Sequence, residues 1–225
     1  MPDKTPTKRP RRRTPLSRER ILKRAQKLAD KDGLDALSMR KLAQALRVEA
    51  MSLYNHVKHK DDMLDGMVEL VVAEIEIPSD TGEWKDEMRK RALSAHAVLL
   101  QHPWAAMLLM SRVNVGPVML RYVDATLGCL LSAGFSYEMA DHAWNTLDSF
   151  IYGFTLQRLN FPFEPEEYKD VAEEYMPQLP MEMYPNLAGL SSEVIEGRYD
   201  GEHELSFGLE LLLTGLESLR RASPE

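Results

Sequence analysis

The sequence is poor in cysteine and contains no long hydrophobic run. Its one cysteine, Cys129, excludes an intrachain disulfide framework and fits a reducing compartment. No apolar stretch approaches the roughly 20 residues that a membrane-spanning helix needs, and the basic amino-terminal stretch leads into no hydrophobic segment like that of a secretory signal. Because 44% of the 225 residues are hydrophobic, a packed core is possible. We expect a soluble, cytoplasmic, folded protein.

The motifs of catalysis are also missing. There is no glycine-rich nucleotide-binding loop, no nucleophile elbow, no pair of catalytic carboxylates and no redox Cys motif. The six His residues form no His-x-x-x-His pair and no Glu-paired helical site. We therefore expect neither an enzyme nor a bound cofactor or metal, and we expect Cys129 to be inert packing in an apolar helix.

The net charge of −7 conceals a strong polarity along the chain. Residues 1–60 contain 17 Lys and Arg against 6 Asp and Glu, a net charge of +11, whereas the remaining 11 basic and 29 acidic residues carry −18. This asymmetry predicts a small basic module that binds a polyanion and an acidic remainder that does not.

The periodicity is helical throughout and no strand pattern appears, so the predicted fold class is all-α. Ser17 and Gly33 bound a first helix, and Ser38 caps a second. A short third helix follows the break at 47–49, and a longer one runs from near Asp61 toward Pro78. Further helices are predicted near 84–101, 104–112, 116–133, 136–159 and 203–221, with a short acidic helix and a weak one near 186–196 in the Pro- and Glu-rich connection at 160–202.

This pattern divides the chain into three parts. Residues 1–15 form a flexible basic arm in which five of the six residues 8–13 are Lys or Arg. The arm either follows DNA phosphates or enters a minor groove, or it is only a solubilising tail. Residues 16–76 form a basic helical domain that includes a linking helix, and residues 77–225 form an acidic helical domain.

The second and third helices have the spacing of a helix-turn-helix, whose second helix can lie in the major groove. Ala43 is small enough for the recognition helix to cross close to it. A miniature core sets the angle between the two helices and consists of Leu42, Leu46, Val48 and Leu53. Polar groups near the start of the recognition helix face outward, as base contact requires.

The residues from Leu37 to Lys60 strongly resemble the tetracycline-repressor (TetR) family of bacterial regulators, and the Leu-Tyr-x-His-Val-Lys-x-Lys run at 53–60 resembles the tetracycline repressor's own branch. Gly82-Glu-Trp-Lys, the Leu-x-Ala-Gly-Phe-Ser run ending at Ser136, and 207–217 are similar to that branch's C-terminal domain. The resemblance implies an all-helical homodimer that binds palindromic operator DNA and releases it when a small molecule enters the C-terminal domain. Residues 16–76 are then the DNA-binding domain, and residues 77–225 are the ligand-binding and dimerisation domain.

The resemblance also sorts the residues of the first domain by expected contact. Arg40 matches a position that reaches a base edge, where an Arg can form two hydrogen bonds to guanine. Lys60 begins the following helix, where charge and backbone N–H groups hold a phosphate. Tyr54 and His56 either touch the DNA backbone or only pack within the domain. The full set expected at the DNA is Ser38, Arg40, Ala50, Met51, Ser52, Tyr54, Asn55, His56 and Lys60.

The sequence departs from the family pattern at four informative positions. Arg47 stands where the family usually has Gly, at a turn that favours positive φ, and a non-Gly residue there costs on the order of 1 kcal/mol. Ala50 lacks the polar side chain of the tetracycline repressor, so a different operator is expected. Leu109 and Glu76 replace the metal-chelating and pocket His residues, so magnesium-tetracycline is not expected as the ligand.

A ligand pocket between the helices of the acidic body would be mainly apolar with a few polar groups. For any single Met or aromatic residue there, ordinary core packing is the more common explanation. The candidate ligand-binding residues are His96, Trp104, Met107, Met110, Asn114, His142, Trp144, Asn145, Asp148 and Tyr152. They suit a bulky, largely apolar effector with a few hydrogen-bonding groups.

Dimerisation is expected through the helices near 136–159 and 203–221, packed with their twofold mates as a four-helix bundle. The last helix has more apolar face than one neighbour needs, through Leu205, Leu209, Leu212, Leu213, Leu216 and Leu219. Ligand binding is expected to swing the linking helix, about 61–76, and move the recognition helices off the groove spacing. One alternative is a helical small-molecule-binding protein or enzyme whose basic module is vestigial or binds nucleic acid nonspecifically. The other is a ligand-insensitive DNA-binding regulator or an activator.

Overall fold

Every regular element in the described part of a computed structural model is helical, which confirms the all-α prediction. The structure describes residues 15–163, 167–178, 180, 182–201 and 203–222. The predicted arm, except Pro15, lies outside them. The helices are α1 (Arg18–Asp32), α2 (Met39–Leu46), α3 (Ala50–Leu53), α4 (Lys60–Val72), α5 (Trp84–Gln101), α6 (Pro103–Ser111), α7 (Pro117–Ser132), α8 (Tyr137–Asn160), α9 (Tyr168–Tyr175), α10 (Pro185–Ile195) and α11 (Leu205–Ala222), with a 3-10 turn at Met176–Gln178.

The chain divides into two compact units, Met1–Leu70 and Val71–Glu225. In the first unit α2 packs on α1 and on α3. Its buried core contains Ile21, Leu22, Ala25, Ala29, Leu37, Leu42, Ala43, Leu46, Leu53, Val57, Met63, Leu64, Met67 and Val68. This core fixes the angle between α2 and α3, so the outward faces of these two short helices are held in a defined position.

Local side-chain chemistry explains where the helices of the first unit begin and end. The Ser17 hydroxyl accepts a hydrogen bond from the Arg20 backbone N–H at 3.3 Å, and the Ser38 hydroxyl accepts one from Lys41 at 3.2 Å. Gly33 closes α1 with φ of 79°, a conformation that favours Gly. These caps are the ones that the sequence predicts.

The second unit is arranged around α8, which packs against α5, α6, α7 and α11. Its fully buried side chains include Met88, Leu99, Leu130, Leu147 and Ile151. Pro103 and Pro117 occupy the first helical positions of α6 and α7, where a missing backbone N–H costs nothing. Helices α9 and α10 pack on each other.

Three predicted elements differ from the observed ones. Helix α4 ends at Val72 and not near 76, because backbone bonds from Glu74 to Val71 (3.0 Å) and from Ile75 to Val72 (3.1 Å) close tight turns. The third helix ends at Leu53, and turns carry the chain to Val57. Most of the α11 leucines expected at a dimer interface are instead buried within the single chain, namely Leu205, Leu209, Leu213 and Leu216.

Candidate nucleic-acid interface and ligand cavity

The turn between α2 and α3 is built on a left-handed residue. Arg47 has φ of 57° and ψ of 48°, and it is the one non-Gly residue with positive φ in the described chain. Its backbone N–H bonds to the Gln44 carbonyl at 3.1 Å, and that of Val48 bonds to Ala43 at 3.0 Å. The structure therefore has the positive φ predicted for this position, although the side chain is Arg and not Gly. The left-handed residue ends α2 and changes the chain direction before α3 begins three residues later.

Most of the residues predicted to meet DNA lie on the surface of this unit. Arg40, Tyr54, Asn55 and Lys60 are exposed, and Met51 exposes 74% of its surface. A Met so exposed in a globular unit gains nothing from packing and is available to an apolar group such as a thymine methyl. Ala50, Ser52 and His56 are half-buried, and Ser38 is exposed while its hydroxyl caps α2.

An ion pair braces the start of α4 against α1. Asp62 accepts two hydrogen bonds from the Arg18 guanidinium, at 2.7 and 2.9 Å, and a third from the Lys58 backbone N–H at 2.7 Å. Arg18 also donates to the His56 carbonyl at 3.2 Å. The hydrogen bonds from Arg18 lower the pKa of the Asp62 carboxyl to about 2. This ion pair, which sequence reasoning missed, fixes the loop that carries His56 and Lys58 and the start of α4 at Lys60.

The second unit has a half-open cavity of about 410 Å³ between α6, α7 and α8. That volume lies within the range of roughly 300–1,000 Å³ typical of small-molecule sites. The lining residues are Leu109, Met110, Arg112, Asn114, Met119, Tyr122, Val123, Trp144, Asn145, Asp148, Ser149 and Tyr152. Of the residues predicted to bind ligand, Met110, Asn114, Trp144, Asn145, Asp148 and Tyr152 meet here.

A buried charge pair lies against this cavity. The guanidinium of Arg91, which is fully buried, donates to the Asp148 carboxylate. The same carboxylate accepts from Trp144 Nε1 at 2.8 Å and from the Tyr152 hydroxyl at 3.3 Å. Arg91 also lies over the Tyr122 ring, 4.8 Å from its centroid. Burial raises the pKa values of Tyr122 and Tyr152, so both are neutral phenols near pH 7.

The other predicted ligand residues lie outside this cavity. The His96 imidazole is 2.8 Å from the Thr155 hydroxyl, and burial, with a smaller effect of Arg158, lowers the pKa of His96. Trp104 is buried beside His102, whereas Met107 is 56% exposed. His142 is exposed, 3.9 Å from Glu138. These side chains therefore lie in the second unit but do not line the cavity between α6, α7 and α8.

Sequence reasoning missed Arg91 and Tyr122, the largest fully buried polar side chains. The sequence does contain a signal for the burial of Arg91. It lies three residues after Met88 and four before Ala95, on the same face of α5, and the other residues of that face are apolar. An Arg on a core-facing stripe needs a buried partner. Cys129 is buried, and burial raises the pKa of its thiol to about 11, so it remains protonated.

Other hollows differ in chemistry. One of about 640 Å³ lies beside Phe150, Phe154 and Phe207, and one of about 310 Å³ lies between α9 and α10. Among the described residues, the lining of the 410 Å³ cavity includes buried side-chain polar atoms without a hydrogen bond within the distance limit. The linings of the other two hollows include none. In the first unit, an open groove of about 610 Å³ is lined by Arg20, Lys23, Arg24 and Lys27.

Two further properties concern the described residues only. They hold no cluster of three or more His, Cys, Asp or Glu side chains arranged to bind a metal ion. None of the helices in this part of the chain is both long and apolar enough to span a bilayer. Leu109 lines the 410 Å³ cavity at the position for which the resemblance expects a chelating His.

Two family profiles match the chain. The profile described as "Bacterial regulatory proteins, tetR family" matches residues 21–67, and the one described as "Tetracyclin repressor-like, C-terminal domain" matches residues 78–220. The two matches lie on the helix-turn-helix unit and on the unit with the cavity.

Individual relatives agree with these profiles. The HTH-type transcriptional repressor DrrR1 of Streptomyces coeruleorubidus is 30% identical over 215 residues, 91% of this chain and 78% of that protein. An HTH-type transcriptional regulator of Saccharopolyspora erythraea is 36% identical over 149 residues; the match spans 66% of this chain and 63%, less than two thirds, of that regulator. The crystal structure of the Streptomyces coelicolor protein ActR in complex with actinorhodin has a TM-score of 0.76 and 30% identity, and the alignment covers 92% of this chain and 99% of ActR.

Proposed function

The chain belongs to the TetR family of bacterial transcriptional regulators, and on that premise we propose that it represses transcription as a homodimer on a palindromic operator and leaves the DNA when a small, largely apolar effector binds. As a member of this family it is a ligand-responsive DNA-binding regulator and not an enzyme. The observation that carries the proposal is the presence in one chain of an exposed short helix after a left-handed turn and of a helical unit with a cavity lined by apolar and polar side chains.

At the DNA, α3 enters the major groove and α2 supplies the first base contact. The exposed Arg40 reads a guanine, Met51 meets a thymine methyl, and Ser52 and Asn55 bond to bases or phosphates. The α4 start at Lys60 holds a phosphate through its charge and its helix N-terminus. Ser38, Ala50, Tyr54 and His56 position these groups at the duplex. The basic groove on α1 adds a nonspecific electrostatic attraction.

Repression is supported by the relative DrrR1, which is named a transcriptional repressor. Release by a small molecule is supported by ActR, whose structure was obtained in complex with actinorhodin. We expect an effector other than magnesium-tetracycline, because Leu109 presents no imidazole to the cavity and Glu76 carries a carboxylate in place of the second expected imidazole.

The DNA-binding part of the proposal is tested by selecting sites from a pool of random duplexes and measuring affinity by gel shift. We expect a palindrome with half-sites about 34–36 Å apart. Arg40→Ala weakens binding to it by about 1–3 kcal/mol and relaxes the preference at one base pair per half-site. Arg121→Ala, which removes an exposed Arg from α7, is the matched control and leaves affinity unchanged. Selection of no common site, at any salt concentration, contradicts the proposal.

The regulatory part is tested by thermodynamic linkage. If an effector releases the operator, operator DNA must weaken effector binding by the same factor. A molecule obtained by thermal-shift screening is titrated calorimetrically into the free protein and into the operator complex. Equal effector affinity in the two titrations would show a ligand-insensitive regulator.

A further inference from the structure

The hollow of about 310 Å³ between α9 and α10 brings five aromatic rings together. The rings belong to Phe161, Phe163, Tyr168, Tyr175 and Tyr199. Among the described residues, the lining of this hollow shares no member with the lining of the 410 Å³ cavity between α6, α7 and α8. The hollow is therefore a candidate site of its own, separate from the cavity proposed for the effector.

Three of these rings form adjoining walls that meet at steep angles. The Phe161 ring centroid lies 6.0 Å from that of Phe163 and 5.5 Å from that of Tyr168, and the ring planes of both pairs meet at 75°. A cation is attracted by the negative face of an aromatic ring when it lies within about 6 Å of the centroid. Walls at steep angles allow one cation to approach more than one ring, whereas parallel stacked rings cover each other's faces.

The rings of the hollow remain accessible to a ligand. Phe161 is 45% exposed, Tyr175 is 48% exposed and Tyr199 is 37% exposed. Neither α9 nor α10 contributes a buried residue. A ligand that covers these rings removes apolar surface from water, which contributes favourably to binding.

The segment that forms the hollow is strongly acidic. Residues 160–202 contain 11 Asp and Glu against two basic residues, a net charge of −9. Both basic residues lie beside carboxylates: Lys169 Nζ is 3.9 Å from Glu173, and Arg198 donates to Glu193 at 2.8 Å. The summed negative charge raises the local concentration of cations and repels anions. Among ligands that bind aromatic rings, the charge of this segment therefore selects a cation.

The lining narrows the class of cation. Its described members include no Asp or Glu, so a metal ion or an ammonium group with N–H donors finds no carboxylate to bind there. A quaternary ammonium group carries its charge without N–H donors, and aromatic faces are its characteristic partners in proteins. We propose that the hollow binds a small quaternary ammonium cation, which lies against the rings of Phe161, Tyr168 and Tyr175 within the acidic segment 160–202.

The test compares choline with 3,3-dimethyl-1-butanol, which has the same shape but carries carbon in place of the charged nitrogen. Ligand-observed NMR titrations of the full chain, without DNA, measure both affinities and are independent of operator binding. We expect choline to bind at least about tenfold more tightly, because only the cation is attracted by the ring faces and by the acidic segment. Ethanolammonium, whose N–H donors need acceptors, should bind more weakly than choline.

Substitutions that keep an apolar side chain but remove the ring test the placement of the cation. Tyr175→Leu and Phe161→Leu should each weaken choline binding at least about fivefold and change dimethylbutanol binding less than about twofold. Tyr175→Trp should keep choline binding, since Trp offers the best ring face for a cation. Tyr137→Leu, at an exposed tyrosine of α8 outside the hollow, is the matched control and should have no effect.

Three results would overturn the inference. Equal affinity of the wild type for choline and dimethylbutanol would show a hollow that binds by apolar contact alone. Choline binding that is unchanged in both Leu variants would place the cation elsewhere, and Tyr175→Trp binding as weakly as Tyr175→Leu would exclude a contact with the ring face. Because Tyr175 is half exposed, its Leu variant should unfold at the wild-type temperature, so a loss of choline affinity in that variant reports on recognition and not on folding.

Discussion

The fold requires a left-handed backbone conformation at Arg47, a conformation that an Arg side chain disfavours. A left-handed turn is needed there to direct α3 away from α2, and Gly would adopt it freely. Arg adopts it at a cost of about 1–2 kcal/mol. Because the Arg47 side chain is exposed, its packing does not offset this cost in folding free energy. A contact with a DNA phosphate would instead contribute to the free energy of DNA binding.

Substitution at Arg47 tests this interpretation. Arg47→Gly should be more stable than Arg47→Ala by about 0.5–1 kcal/mol, since relief of the left-handed conformation exceeds the entropy that Gly loses on folding. Both variants should bind operator DNA more weakly than the wild type. Urea unfolding and gel shifts measure the two effects, and equal stability of the Gly and Ala variants would refute the strain.

The Arg18–Asp62 pair gives a prediction about pH. The pKa of Asp62 is lowered to about 2 in the folded protein, below its unfolded value, so its contribution is complete above about pH 4 and is lost as pH falls toward 2. Arg18 is 42% exposed, so solvent screening limits the contribution to about 1 kcal/mol. Asp62→Asn should be less stable than wild type at pH 7, and the difference should be roughly halved at pH 3.

Denaturant unfolding at several pH values measures this difference. Asp35→Asn, at an exposed position of the same unit, is the control and should differ little from wild type at either pH. A wild-type advantage over Asp62→Asn that persists unchanged at pH 3 would contradict the assignment of the lowered pKa to the Arg18 contact.

At the scale of the element, α2 illustrates how one residue serves two purposes. Ser38 caps the helix through its hydroxyl and is also expected at the DNA. An N-cap hydroxyl contributes about 1 kcal/mol of stability, and an Asp carboxylate can replace it as the acceptor. A carboxylate is repelled by phosphates, however, so substitution separates the two purposes.

Ser38→Ala should lower the free energy of unfolding by about 1 kcal/mol, whereas Ser38→Asp should keep it. Ser38→Asp should nevertheless bind operator DNA at least about tenfold more weakly, because it places a negative charge at the interface. Ser136→Asp, at the corresponding cap of α8, is the control for charge and should bind DNA as the wild type does. Wild-type DNA affinity of Ser38→Asp would remove Ser38 from the interface.

Most elements could be predicted from the sequence because their signals are local. Ser caps, Pro at helix starts and 3.6-residue periodicity predicted α5 to α8 and α11 to within two residues at either end. The end of α4 could not be predicted in this way. The backbone N–H of Glu76 bonds to the Ser94 hydroxyl, 18 residues further along the chain, and no local pattern announces such a partner.

At the scale of the whole molecule, α11 leaves an apolar face uncovered in the single chain. Phe207 is 72% exposed, Leu211 62% and Leu219 55%. The predicted excess of apolar surface is therefore present, but Phe207 and Leu211 provide much of it and most of the predicted leucines do not. Uncovered apolar surface on a folded unit favours a second copy of the chain, and a twofold pair would align two recognition helices.

Leu211→Arg should convert a dimer into monomers, or weaken dimerisation at least about tenfold, because a charge would be buried at the twofold contact. Operator affinity should fall with it, since one recognition helix binds alone. Sedimentation velocity measures the oligomeric state. Leu120→Arg, at a similarly exposed leucine of α7, should leave both properties unchanged. A Leu211→Arg protein that remains dimeric would place the interface elsewhere.

The sequence by itself determined the helical class, the helix-turn-helix and the separation of a basic from an acidic part, because caps, periodicity and charge act between near neighbours. Only the tertiary structure decided the cavity. Arg91 meets Asp148 across 57 residues, and the Tyr122 ring comes to lie against Arg91 only when α5 and α7 pack together. Helical spacing gives the face of a side chain, whereas the packing of distant helices decides which faces enclose a ligand.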